Sequence, residues 1–290
     1  MAIIVDDKSR VLVQGITGGA GKFHTKNMIE YGTNIVGGVT PGKGGQEVEG
    51  VPVYDTVHGC VMGENPDVSV VFVPARFAAD AVMECLDEGL KRIILVPERI
   101  PIHDMLEVRH KAGKAGATVV GGNSPGVVSP GKANVGIMPP IAFSEGRVGT
   151  VARSGAITYY LADTLTHSGY GETTCVGLGG DPILGSNFED ILRLFDNDPE
   201  TEAMVMAGEI GGLYEEIASQ HMSEIKKPVI AFIAGLYAPP GKRMGHAGAI
   251  VEKGMGTAES KVKALSDAGV PIAKKFSDIP KLLEERIGKA

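Results

Sequence analysis

Four polar side chains sit in glycine-rich or small-residue loops, each directly after an apolar run. They are Ser154 in Arg153-Ser154-Gly155-Ala156, Asp181 in Gly179-Gly180-Asp181-Pro182, Glu209 in Gly208-Glu209-Ile210-Gly211-Gly212, and His246 in Gly245-His246-Ala247-Gly248-Ala249. Small neighbours leave the His246 imidazole open to a second molecule, and Lys242 and Arg243 just before it draw anions. A carboxylate beside a histidine fixes its tautomer and makes it more basic and nucleophilic. A helix start with free backbone amides, as expected at Ser154 and Gly155, holds a phosphoryl group. If the apolar runs are parallel strands of one sheet, all four loops lie along its carboxyl edge, where open α/β sheets bind ligands. A histidine with only local hydrogen bonds and a serine that only caps its helix are the plain alternatives. The coincidence of four such groups weighs against them.

A second set of residues lies near the start of the chain. Arg10-Val11-Leu12-Val13-Gln14 leads into Gly15-Ile16-Thr17-Gly18-Gly19-Ala20-Gly21-Lys22, and helical spacing follows from Phe23 to Tyr31. Strand, glycine turn and helix present bare N–H groups to a phosphate. An NAD site would need an acidic residue after the second strand, Asn34 to Val39, to hold the ribose hydroxyls. That strand runs instead into Thr40-Pro41-Gly42-Lys43-Gly44-Gly45. Lys43 either attracts a further phosphate, as in a site for a phosphorylated nucleotide other than NAD, or is an exposed loop lysine.

The elements that must carry these loops alternate as β and α. Ser69-Val70-Val71-Phe72-Val73 reads as a buried strand, and Phe77, Ala81, Val82, Cys85 and Leu86 form a helical stripe after it. Arg92 to Val96 is the next strand, with exit loop Pro97-Glu98-Arg99-Ile100-Pro101, followed by a helix near Asp104 to Lys114 and the strand Thr118-Val119-Val120. Residues 1–122 thus form a doubly wound domain, and the Gly- and Pro-punctuated residues 123–146 read as an ordered interdomain linker. Residues 147–290 start again, with strands at Arg147 to Ala152, Thr174 to Leu178, Ala203 to Ala207 and Pro228 to Gly235. In the helix after Gly155, Ile157, Tyr160, Leu161 and Leu165 are expected on one face, with Tyr160 in the core and Tyr159 pointing elsewhere.

Composition narrows the class. At 290 residues, 43% hydrophobic and 22% charged, the chain has ample core. Its net charge of −7 gives no electrostatic reason to expect nucleic acid. No apolar run nears the roughly 18 residues of a membrane span, and the first residues lack the basic start of a signal peptide, so a cytoplasmic protein is expected, or a mature organelle protein in a eukaryote. Cys60, Cys85 and Cys175 are too scattered for a disulfide framework or a zinc site, and no metal set is expected in this chain. Cys85 belongs to an apolar stripe. The 41 glycines show no repeat period, so they serve tight turns and close backbone approach.

Taken together, Gly245-His246-Ala247-Gly248-Ala249, Gly208-Glu209-Ile210-Gly211-Gly212, Gly179-Gly180-Asp181-Pro182 and Val39-Thr40-Pro41-Gly42-Lys43-Gly44-Gly45 resemble the α subunit of succinyl-CoA synthetase, over essentially the whole chain. The resemblance implies an α/β protein with an N-terminal Rossmann-like CoA-binding domain and a flavodoxin-like ligase domain. It also implies a β subunit with an ATP-grasp domain, in a heterodimer or heterotetramer, and Mg2+ with ATP or GTP on the partner's side. By the same resemblance His246 would be phosphorylated during turnover with Glu209 as its carboxylate partner. Thr17, Gly18, Gly19, Ala20, Lys43, Val96, Pro97 and Glu98 would contact CoA, and Tyr159 would contact the acid substrate.

The chain departs from the family's usual pattern at several places. Pro97-Glu98-Arg99 replaces Thr-Glu-Gly, Ser124 a cysteine, Ala152 a serine, and Tyr160 a glutamate; Pro139-Pro140 stands near a Pro-Gly-His, and Pro74-Ala75-Arg76 replaces Pro-Ala-Pro. Arg76 and Arg99 add positive charge, which suits citrate or malate as an alternative acid, and lineage drift accounts for them equally well. Two hypotheses from other classes remain, an NAD-dependent oxidoreductase and a non-catalytic CoA-binding regulator, and the sequence disfavours both. An NAD oxidoreductase needs the missing acidic residue, and a CoA-binding regulator has no use for a carboxylate and a histidine at strand exits of the second half.

Overall fold

The computed structural model describes residues 2–236, 246–249, 251 and 256–290. The stretch 237–245, with Lys242 and Arg243, lies outside the described residues. The first half comprises β1 (Val11–Gln14), α1 (Gly19–Tyr31), β2 (Ile35–Val39), β3 (Glu47–Val48), β4 (Val51–Tyr54), α2 (Val57–Glu64), β5 (Val68–Val71), α3 (Ala75–Asp87), β6 (Arg92–Leu95), α4 (Ile102–Ala115) and β7 (Thr118–Val120). Its sheet runs β3-β4-β2-β1-β5-β6-β7, parallel throughout except for β3 against β4. Leaving out β3, the order is the Rossmann one, with the reversal between β1 and β5. Every residue of β1 and β5 is buried, as uninterrupted apolar runs require when both faces of a sheet are covered.

The second half comprises β8 (Gly126–Ser129), β9 (Ala133–Gly136), β10 (Glu145–Ala152), α5 (Gly155–His167), β11 (Glu172–Gly177), α6 (Phe188–Asn197), β12 (Ala203–Glu209), α7 (Tyr214–Ser219), β13 (Val229–Ala234), α8 (Ala258–Asp267), β14 (Ile272–Ala273) and α9 (Ile279–Ile287). The sheet runs β14-β13-β12-β10-β11-β8-β9. Its five parallel strands are in the flavodoxin-like order, second, first, third, fourth, fifth, with the reversal between β10 and β12.

Three expectations change. Residues 123–146, read as a linker, contain β8 and β9, which pair antiparallel with each other and extend the second sheet from β11. The same hairpin is tied to the first half: Thr33 Oγ1 donates to the Asn134 carbonyl at 2.8 Å, and Ser129 Oγ donates to the Val5 carbonyl at 2.7 Å. A four-residue strand buried on both sides shows no alternation, which is why periodicity missed it. Tyr160, expected in the core, is 66% exposed and stacks on Phe276 at 5.9 Å. Adjacent positions on a helix lie about 100° apart, and the buried face of α5 is Thr158, Leu161, Ala162 and Leu165. Phe77, placed in the α3 stripe, is half-exposed, while Ala78, Ala81, Val82, Cys85 and Leu86 are buried.

Candidate active site

Strands β12 and β13 lie side by side in parallel, with Glu209 opposite Ala234, so the loop after one opens next to the loop after the other. His246 Nδ1 stands 2.8 Å from Glu209 Oε1. A carboxylate only accepts, so Nδ1 carries the proton, and in the neutral ring Nε2 keeps its lone pair. The ring lies against Gly180, where a Cβ would come within 2.2 Å of its Cγ, and the Gly248 N–H donates to the Gly180 carbonyl at 3.0 Å. Glycine at 180 is therefore a condition of the histidine's seat. The hydrogen bond to Glu209 raises the His246 pKa above its ordinary value, burial and the Arg153 charge oppose this, and Asp181 adds to it.

Beneath this pair lies a set of buried charges that sequence reasoning did not single out. Arg153 is fully buried between the two loops; Nη1 donates to the Gly211 carbonyl at 2.6 Å and Nη2 to the Gly248 carbonyl at 3.3 Å. Its Nε is buried without a hydrogen bond, 3.8 Å from Glu209 Oε1. Lys261 and Glu215, both without exposed surface, form an ion pair. Lys261 Nζ also donates to the Gly211 carbonyl at 2.8 Å, and Glu215 Oε1 accepts from the Glu209 N–H at 3.1 Å. One signal for them was present: Lys261 shares the buried face of α8 with Ala258 and Leu265, and a lysine in an apolar stripe needs a buried partner.

Ser154 is the N-cap of α5 but its side chain makes no cap bond, and the helix's first turn has no acidic residue. By contrast α6 closes its own amides with an Asn187–Asp190 capping box, and α8 uses Thr257. The first amides of α5 thus carry no side-chain cap, at the edge where the second sheet reverses, an arrangement that can hold an anion. Asp181, expected with this group, turns its carboxylate to the first half instead, accepting from the amides of Arg99 at 3.1 Å and Ile100 at 3.2 Å. Burial raises its pKa, against those two hydrogen bonds. Tyr159 is half-buried, its pKa raised by burial and by Cys175 of β11, and no hydrogen bond joins it to His246 or Glu209.

In the first half, α1 likewise begins without a side-chain cap or an acidic first turn, at Gly18, followed by Gly19 and Ala20. A Cβ at Gly21 would come within 2.2 Å of the Gly15 carbonyl oxygen, so the turn closes only on glycine. Thr17 and Gly18 line a cavity of about 520 Å3 with Gly15, Thr40, Pro41 and Phe72 at the β1–β5 reversal. Where an NAD site would need a carboxylate, Thr40 Oγ1 donates to the Val39 carbonyl at 2.8 Å and accepts from Thr17 Oγ1 at 3.2 Å. Lys43 is exposed on the turn closed by its N–H to the Thr40 carbonyl. Val96, Pro97 and Glu98 do not line that cavity; they form the loop after β6 whose continuation, Arg99 and Ile100, holds Asp181. Arg99's guanidinium stands 3.9 Å from Glu98, so its charge is partly met within the loop.

Residues 6–99 match the CoA binding domain family and residues 151–271 the CoA-ligase family. Over 98% of its length the chain is 56% identical to succinate–CoA ligase [ADP-forming] subunit alpha 2 of Archaeoglobus fulgidus, covering 99% of that protein. The chain belongs to the succinate–CoA ligase α-subunit family. A bacterial member, succinate–CoA ligase [ADP-forming] subunit alpha of Staphylococcus epidermidis, is 50% identical over the whole chain and 96% of its own. The fold extends further. ATP citrate lyase of Methanosaeta concilii, solved as the D541A mutant with (3S)-citryl-CoA, superposes with a TM-score of 0.88 at 24% identity over 98% of this chain. This succinate–CoA ligase family member spans about half (50%) of that lyase polypeptide, and at such identity the likeness concerns the fold.

Proposed function

We propose that this chain is the α subunit of a nucleotide-dependent acid–CoA ligase that forms succinyl-CoA from succinate and CoA, with ATP or GTP converted to ADP or GDP and phosphate. The observation that carries the reading is the 2.8 Å contact of His246 Nδ1 with Glu209, beside an uncapped helix start at Ser154 and Gly155. Nε2 of His246 attacks the γ-phosphorus, forming an N–P bond as the bond to the nucleoside diphosphate breaks. Glu209 stabilises the positive charge that then develops on the ring. A carboxylate oxygen of the acid takes the phosphoryl group, the N–P bond breaks, and an acyl phosphate results. His246 is neutral again once the N–P bond has broken; the CoA thiolate then attacks the carbonyl carbon of the acyl phosphate, a C–S bond forms and phosphate leaves.

CoA is assigned to the first half, with Thr17, Gly18, Gly19 and Ala20 at its phosphates and Lys43, Val96, Pro97 and Glu98 along it; the first half's match to CoA binding domains supports this. The names of the α-subunit relatives support a β subunit, which would bring an ATP-grasp domain, the nucleotide and its Mg2+. Tyr159 is assigned to the acid. No described helix is long and apolar enough to cross a membrane, and a cytoplasmic or matrix enzyme fits this reaction.

The test is transfer of label from γ-labelled ATP or GTP to this chain in complex with its β subunit. Base-stable, acid-labile label on the wild type that disappears in His246→Asn is the expected result. An assembled wild-type complex that takes up no label from either nucleotide would refute the ligase mechanism.

A further inference from the structure

We propose that Arg153 is the positioning residue that holds the Glu209 loop and the His246 loop in register, clamping them through the Gly211 and Gly248 carbonyls. The inference rests on the ligase reading for its consequence but on geometry for its content. Arg153 follows β10 at the point where the second sheet reverses, and among the described residues its guanidinium donates to both loops. It fits closely enough that a Cβ on Gly248 would come within 2.5 Å of Nη2, and one on Gly212 within 3.0 Å of Nη1. Tyr214 covers its far side, with the guanidinium carbon 5.5 Å from the ring centre.

Burying an arginine is unfavourable unless its donors and its charge are met. Two donors meet carbonyls, and the remaining Nε has no hydrogen bond but points its charge at Glu209 Oε1, 3.8 Å away. That oxygen is the one that accepts from His246. The arginine therefore acts twice on the histidine: it sets where Glu209 stands, and its positive charge opposes the proton that Glu209 invites onto the ring. The Lys261–Glu215 pair fixes the same loop from below, through the Gly211 carbonyl and the Glu209 N–H.

Among the described residues, the charged groups that act on His246 are Glu209 from the end of β12, Arg153 just after β10 and Asp181 from the loop after β11. Removing the arginine's charge leaves the charges of Glu209 and Asp181 acting on the imidazole without that opposing cation, so His246 should hold its proton to higher pH. The experiment measures two things on the αβ complex. One is the pH midpoint of ethoxyformylation of His246, read by mass spectrometry of its peptide, since only the unprotonated ring reacts. The other is the initial rate of labelling from γ-labelled nucleotide.

Arg153→Gln is expected to move the midpoint up by roughly one pH unit. Arg153→Lys keeps the charge but replaces the two-pronged fork by a single ammonium. It is expected to leave the midpoint near wild type and slow labelling by at least about tenfold. Wild-type midpoint in Arg153→Gln, or wild-type labelling rate in Arg153→Lys, would overturn the proposal. If Arg153→Gln does not assemble, the Arg153→Lys pair of readings decides. A wild type whose His246 titrates as expected but takes no label from nucleotide would count against the ligase reading instead.

Discussion

At the scale of single residues, His246 is subject to two opposite demands. Pairing with Glu209 raises its pKa, which favours the protonated ring, whereas the proposed attack on phosphorus needs Nε2 unprotonated. The consequence for stability has a definite sign. A histidine whose folded pKa lies above its unfolded value of 6.5 adds stability that is complete below that value and is lost as pH rises through the folded one. Replacing His246 by Asn should therefore lower the unfolding temperature of the assembled complex more at about pH 6 than at about pH 8.5. Thermal scans at both pH values check this; a larger loss at the alkaline pH would mean that the Glu209 pairing is not what shifts the ring. Reactivity runs the other way, gaining as pH rises through the same pKa.

At the scale of elements, α1 and α5 differ from α6 and α8 in leaving their first amides open, and both follow strands next to a sheet reversal. Their openings depend on backbone approach. Gly21→Ala places a Cβ 2.2 Å from the Gly15 carbonyl oxygen, where backbone has little room to move. Overpacking of this kind costs about 1–3 kcal/mol and opens the turn that presents Thr17 and Gly18. The variant is expected to lose most of the thermal stabilisation that CoA gives the wild type. Gly113→Ala, at an exposed site on α4 with nothing within 4 Å of the new Cβ, serves as the control and should keep it. Equal CoA stabilisation in Gly21→Ala would remove the turn from the binding site.

At the scale of the whole molecule, the loop that carries Asp181 holds both halves of the site. Its Gly180 carbonyl accepts from Gly248 of the histidine loop, and the Asp181 carboxylate accepts from the amides of Arg99 and Ile100 after β6. Two further bonds strengthen the same join: the Gly185 N–H to the Gly121 carbonyl at 2.6 Å and the Val119 N–H to Ser186 Oγ at 3.2 Å. A thioester forms only if the CoA thiol reaches the acyl phosphate, so the relative placement of the halves matters to the proposed reaction. Asp181→Ala leaves two amides without partners, at a cost of about 1–3 kcal/mol. It should lower the urea midpoint of the complex and reduce succinyl-CoA formation more than it reduces labelling of His246. A variant that loses labelling and thioester formation equally would show that Asp181 serves the histidine, not the join.

Most of the architecture was legible in the chain itself. Apolar runs of four to eight residues, glycine turns after them and helical stripes between them specify two doubly wound halves, because each pattern is a local property of consecutive residues. The placement of the candidate loops was legible for the same reason: Ser154 and His246 follow strands, Glu209 ends one, and parallel strands must end on one edge. What the linear order could not express is which side chains meet across that edge. Strand β8 exists through pairing with β11, a partner about 50 residues away, and β9 through pairing with β8, and neither carries any alternation of its own. Asp181 looked like a member of the histidine's group, and the fold turned it to the amides of Arg99 and Ile100. Arg153, Glu215 and Lys261 read as ordinary charges in sequence; folding brings them under Glu209 and His246 from β10, α7 and α8. Charge burial is a property of three-dimensional contact, satisfied only by partners far along the chain, and so the tertiary structure alone decided it.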